Sequence, residues 1–126
     1  MNNTILISKI DAARRQLETA LYLYFTEDEP VSIHTLICAA HEILETLHIQ
    51  NNGIPTFLHK NSPGIKNDPR KRKKYHDIIS DAKNFFKHAN KDPERILEFD
   101  TQKTEAYLLD SIYLFQHLTQ VSHIRL

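Results

Sequence analysis

Apolar residues recur at three- and four-residue steps along most of this chain. In the first stretch Leu6, Ile10, Ala13, Leu17, Ala20, Leu21 and Tyr24 share one stripe at about 100° per residue. Arg14, Arg15, Gln16 and Glu18 take most of the remaining circumference. The pattern predicts a helix over about residues 4–26, with Asn2, Asn3 and Thr4 as caps. Glu27-Asp28-Glu29-Pro30 ends it in an acidic turn. A second stripe, Ile33, Leu36, Ile37, Ala40, Ile43, Leu44 and Leu47, predicts a helix over about residues 32–50. Asn51-Asn52-Gly53 stops it, because Asn and Gly tolerate the left-handed conformation.

Residues 53–68 are polar and punctuated by Gly and Pro. So long a connection is expected to be mobile or functional, with Ile54, Phe57 and Leu58 available to pin it to the bundle. Asp68-Pro69 reads as an N-cap followed by proline in the first turn. The third helix is predicted to run to about Ala89, with Tyr75, Ile78, Ile79, Ala82, Phe85, Phe86 and Ala89 as its buried stripe. Asp92-Pro93 starts one short extra turn. The fourth helix spans about residues 102–121. It is apolar on two sides, Ala106, Leu109, Ile112 and Tyr113 on one, Tyr107, Leu114, Leu118 and Val121 on the other. A helix of that kind is buried in the middle of something, and here a second copy of the chain is the expected cover. The fold class is all-α, a four-helix-bundle-like single domain over residues 1–126 with a short extra turn between helices three and four.

Composition agrees with few, long elements. Only 2 Gly and 5 Pro are present, too few for the turns of a sheet protein. Lys and Arg total 16, as do Asp and Glu, for a formal net charge of zero. Attraction to a polyanion must therefore come from a local patch. A lone Cys38 excludes an intrachain disulfide, as expected of a reducing cytosol. Residues 1–10 carry neither a basic n-region nor a long apolar core, and no apolar run reaches the roughly 20 residues a bilayer demands. The expectation is a soluble, cytoplasmic chain with no membrane partner.

A local basic patch does exist. Lys66, Arg70, Lys71, Arg72, Lys73 and Lys74 lie within nine positions at the start of the third helix. Cations there oppose the helix dipole, so stability alone does not favour them. Contacts to phosphates would explain them, and a solvated helix entrance is the plainer alternative. On the second helix His34, His41 and His48 are spaced by seven, which lines them along one edge of the core stripe. With Cys38 and Glu45 between them, His34, His41 and Glu45 suggest a metal site. A polar border of hydrogen-bonded histidines is the alternative, and no second tight ligand pair lies elsewhere. Cys38 beside a histidine would allow nucleophilic catalysis, but a cysteine flanked by Ile37 and Ala39 reads as a small buried hydrophobe. No Gly-rich phosphate loop is possible with two glycines.

The densest chemistry ends the third helix, in Lys83-Asn84-Phe85-Phe86-Lys87-His88. Asn84 and His88, four apart, share a face. Lys83 and His88 are about 140° apart on a regular helix, so they meet only if the helix breaks near Lys87 or two copies face each other. A histidine that moves protons and a nearby cation are the minimum for metal-free RNA cleavage through the 2′-hydroxyl. The plainer role of Asn84 and His88 is to tether the helix end.

This hexapeptide resembles the signature of the HEPN superfamily (higher eukaryotes and prokaryotes nucleotide-binding). That signature is an arginine, a polar residue, a few positions and a histidine near the end of the third helix of a bundle. Asn84 and His88 match its polar–spacer–histidine order, and Lys83 stands in place of the arginine. Lysine keeps the charge and loses the planar fork for phosphate. The stretches Asn84–Pro93 and Pro30–Leu36 are also similar to segments of small uncharacterised bacterial proteins, a likeness covering about residues 12–115.

The resemblance implies a homodimer with paired motifs facing each other. It implies RNA binding or weak metal-independent ribonuclease activity, in a toxin–antitoxin or defence system with a cognate antitoxin protein as partner. It assigns catalysis to His88, Lys83 and Asn84 and requires no cofactor. RNA would be gathered by Lys66, Arg70, Lys71, Arg72, Lys73, Lys74 and Lys87. Two other readings stand beside it. One is a non-catalytic helical dimer acting as a protein-interaction module, and the other is the metal-binding protein built on His34, His41 and Glu45.

Overall fold

In the computed structural model, residues 3–59 and 61–121 are described, Val121 by its backbone alone. Asn2, named above as a cap, and the side chain of Val121 lie outside the described residues. Four helices are packed together, and no strand occurs among the described residues. They are α1 (Lys9–Thr26), α2 (Pro30–Gln50), α3 (Pro69–Phe85) and α4 (Gln102–Val121). None of them is long and apolar enough to cross a membrane.

The starts of α1, α2 and α3 each have a local cause. The Ser8 hydroxyl accepts the Asp11 N–H at 3.1 Å, the Glu29 carboxylate accepts that of Ser32 at 2.7 Å, and Asp68 accepts those of Arg70 and Lys71 at 3.1 and 3.2 Å. Each satisfies N–H groups that the first helical turn cannot. Pro30 and Pro69 follow their caps, where a missing N–H costs nothing. The end of α2 is a Schellman motif. Asn52 takes φ 64°, its N–H reaches the Ile49 carbonyl, and Gly53 N–H reaches that of His48 at 2.8 Å. A Cβ at Gly53 would overlap the His48 imidazole, so glycine leaves that ring its place.

Two predicted boundaries move by four residues or more, and α2 starts two residues early, at Pro30. The first helix begins at Lys9, not at residue 4. Leu6 continues the stripe in sequence yet is 97% exposed, because the Ser8 cap holds the backbone extended ahead of it. The third helix ends at Phe85, four residues before Ala89. Lys87, His88, Ala89 and Asn90 are all exposed, so nothing past Phe86 gains burial by remaining helical. Asp92–Arg95 then forms the expected short turn, closed by the Arg95 N–H on the Asp92 carbonyl at 2.9 Å.

The core lies between α1, α2 and α4, with Ala13, Leu17, Ile37, Leu44, Leu114 and Leu118 among its buried residues. The central helix is α2, which touches all three others. On α4, Tyr107, Leu108, Leu114 and Leu118 are buried while Leu109 and Tyr113 are exposed, at 68% and 53%. Of its first apolar side, Leu109 and Tyr113 are thus uncovered within a single chain, while Ala106 and Ile112 are half-buried. In the long connection Leu58 is buried as a pin, but Ile54 and Phe57 are exposed. Their place is taken by polar ties, Thr56 to Asp110 at 2.8 Å and the Tyr75 hydroxyl to the Phe57 carbonyl at 2.6 Å.

These placements make α1 a direct test. Leu17→Ala should lower folding stability by about 2–5 kcal/mol, as emptying a core site does. Leu6→Ser should change it by less than about 0.5 kcal/mol. Urea denaturation followed by circular dichroism compares the two.

Candidate functional site

The predicted motif is divided between two clefts, because Lys83 and Asn84 are successive residues of α3 and face about 100° apart. Asn84 and His88 line the larger, about 560 Å³, with Asp81, Phe85, Lys91 and Arg95. The backbone holds them together, since the His88 N–H donates to the Asn84 carbonyl at 3.0 Å. Lys83, half-buried, lines a second cleft of about 150 Å³ with Glu45, His59, His76 and Ser80. Within one chain Lys83 and His88 therefore serve different surfaces. Lys87 is exposed just before His88.

The larger cleft has a cation that sequence reasoning missed. Arg95 grips Asp81 with both ends of its guanidinium, at 2.9 and 2.7 Å. Those hydrogen bonds hold the Asp81 carboxyl below the usual carboxylate range. The guanidinium carbon also sits 5.5 Å from the centre of the Phe85 ring, a cation–π distance. Asp92, on the cleft wall, has φ 47° directly before Pro93. A residue preceding proline favours extended backbone, so the turn that carries Arg95 holds local strain. The dipeptide Asp92-Pro93 was readable as a turn, whereas nothing local indicated that Arg95 would fold back onto Asp81.

The basic run is a surface. Lys66, Arg70, Lys71, Lys73 and Lys74 are exposed, and Arg72 is half-buried. Lys73 meets Asp77 at 3.4 Å, and Arg72 reaches the Asn61 side chain at 3.4 Å.

The α2 histidines lie inside rather than at a border. His34, His41 and His48 are all buried. His34 Nδ1 hydrogen-bonds with Thr104 at 2.8 Å and its Nε2 lies 3.4 Å from Cys38 Sγ. His41 Nε2 donates to Asp110 at 2.6 Å, and His48 Nε2 donates to the Ile54 carbonyl at 3.0 Å. Glu45 faces His59 at 3.9 Å, and its other oxygen is buried with no protein partner, like Ser80 Oγ. His34, His41 and Glu45 thus point to three separate sets of neighbours. Among the described residues no group of three or more His, Cys, Asp or Glu is arranged to hold a metal ion. Burial pushes the Cys38 thiol up to about 12, which leaves it protonated and a poor nucleophile at neutral pH.

With this geometry in hand, comparison with known proteins adds no assignment. No family model, curated protein or solved structure matches the chain. Among the described residues it is a small all-helical protein with four helices packed together.

Burial, and then the charges of Lys103 and Lys83, push the His34 pKa from the usual 6.5 down to about 4. The unfolded chain takes up this proton near pH 6.5, and the folded chain takes it up only near pH 4. The contribution is therefore complete above pH 6.5 and is lost as pH falls through that window. The urea midpoint should drop between pH 6.5 and 4, and His34→Gln should show a shallower drop than the unaltered chain.

Proposed function

We propose that this chain is a HEPN-like RNA-binding domain that also cleaves RNA weakly and without metal, using His88 to move the proton. The observation that carries the reading is the shared lining of one open cleft by Asn84, His88 and Lys91 at the end of α3. These are the polar residue and histidine on which the resemblance rests, now joined by a cation. RNA brings its own nucleophile. The His88 imidazole accepts the 2′-hydroxyl proton, the 2′-oxygen attacks the adjacent phosphorus, and the bond to the 5′-oxygen breaks. The products are a 2′,3′-cyclic phosphate and a 5′-hydroxyl, whose proton comes from water or from the His88 of a second copy. Lys87 and Lys91 supply positive charge as the phosphorane forms. The exposed cations of the Lys66–Lys74 run gather the RNA backbone. Lys83 lines the other cleft and Arg95 is held by Asp81. Among the described residues no free planar fork then faces the phosphate beside His88, which favours weak turnover.

His88 is exposed, so His88→Ala should keep the helical circular dichroism spectrum and RNA affinity. Cleavage of a single-stranded RNA should fall by about 10²–10⁴-fold. Lys71→Ala combined with Lys74→Ala should weaken binding and flatten its salt dependence. An unaltered chain that binds no RNA at low salt would retire this reading.

A second reading, a helical dimer that acts only through protein contacts, is favoured by the uncovered side of α4. Leu109 and Tyr113 stand exposed there beside half-buried Ile112, and burying them against a second copy removes apolar surface from water. Leu114, at full burial, belongs to the chain's own core, so Leu109→Asp is the informative change. Light scattering should give a dimer for the unaltered chain and a monomer for Leu109→Asp. A monomer mass at every concentration of the unaltered chain contradicts this docking.

A further inference from the structure

The larger cleft contains a flat cationic surface that the proton chemistry of His88 does not use. Arginine commonly recognises phosphate through its fork, but here Asp81 takes one N–H from each terminal nitrogen of Arg95. What remains is the guanidinium plane with its other N–H donors. The guanidinium carbon lies over the Phe85 ring at 5.5 Å, and the side chain is still 41% exposed. Phe85 belongs to a row of ring contacts. Phe85 meets Phe86 edge-on at 6.0 Å, and Phe86 meets Phe99 at 5.0 Å. A guanidinium held at one end by Asp81, set over an aromatic ring and partly exposed offers a stacking platform.

We infer that this platform binds one unpaired nucleobase of a single-stranded RNA, stacked on the Arg95 guanidinium above Phe85. The inference rests on the RNA reading proposed above and adds the form of RNA that the cleft takes. About 560 Å³ falls within the range of pockets that enclose a ligand of nucleotide size. A base in a duplex already has both faces covered by its neighbours, so it cannot reach a plane recessed in a cleft. The surrounding groups suit the rest of a nucleotide. Asn84 and Asn90 each offer a donor and an acceptor for a base edge. His88 and Lys91 are left for the ribose hydroxyl and the phosphate.

The test uses the full chain and three fluorescein-labelled RNAs in anisotropy titrations: a single-stranded hexamer of adenosine, the same hexamer with abasic riboses, and a blunt RNA duplex. The intact single strand should bind about ten-fold more tightly than its abasic form, in line with the loss of base stacking. Arg95→Lys keeps the charge and removes the plane. It should weaken the intact single strand to the abasic level while leaving the abasic strand and the duplex unchanged. Equal affinity for intact and abasic strands overturns the inference and leaves the RNA reading standing. Arg95→Lys losses that are equal for all three RNAs also overturn it, since they report charge alone. No binding of any RNA overturns both. The abasic comparison uses the unaltered protein, so it decides the matter even if Arg95→Lys folds poorly.

Discussion

The hydrogen bond from His41 to Asp110, 2.6 Å long and buried at both ends, is the contact on which the arrangement of segments depends. A carboxylate removed from water is costly unless donors replace its hydration. Two donors do so here, His41 from α2 and Thr56 from the long connection, both on the same Asp110 oxygen. One residue of α4 thereby fixes the register of α2 and closes the connection over them. Further along the same edge, His34 with Thr104 repeats the link between α2 and α4. Apolar packing alone tolerates sliding between two helices, whereas these paired polar groups allow one register only.

The same edge supports the candidate site. Ring contacts run from His41 to Tyr107 at 5.0 Å, from Tyr107 to His34 at 5.7 Å and from His34 to Phe99 at 5.0 Å. From there Phe86 and Phe85 carry the contact out to Arg95. The Tyr107 hydroxyl also donates to the Ile79 carbonyl at 3.0 Å, binding α4 to the otherwise lightly held α3. The cleft floor is therefore linked to the core through ring contacts. Its rim, residues 87–91, is exposed chain without helical structure.

Much of the architecture was legible in local pattern. Periodicity located all four helices, Asp68-Pro69 and Asn51-Asn52-Gly53 marked their boundaries, and α4 was found over its full length. The failures have definite causes. Leu6 carries the right spacing but precedes a serine cap, and a cap overrides periodicity because it satisfies N–H groups that nothing else can reach. The end of α3 was overextended because Ala89 fits the stripe in sequence while no apolar neighbour waits for it in space. At the site, Asn84 and His88 were legible as neighbours because four residues is close to one helical turn.

What the sequence by itself determined is whatever depends on neighbours a few residues away, namely the helices, their caps, the stripes and the adjacency of Asn84 to His88. The tertiary structure alone decided that Lys83 and His88 face different clefts, that Arg95 folds back on Asp81 fourteen residues earlier, and that His41 finds Asp110 sixty-nine residues away. Helix formation is governed by hydrogen bonds and side-chain spacing within a turn or two. The pairing of charges across helices is governed by which groups lose their water together when the core closes, and no local pattern carries that information.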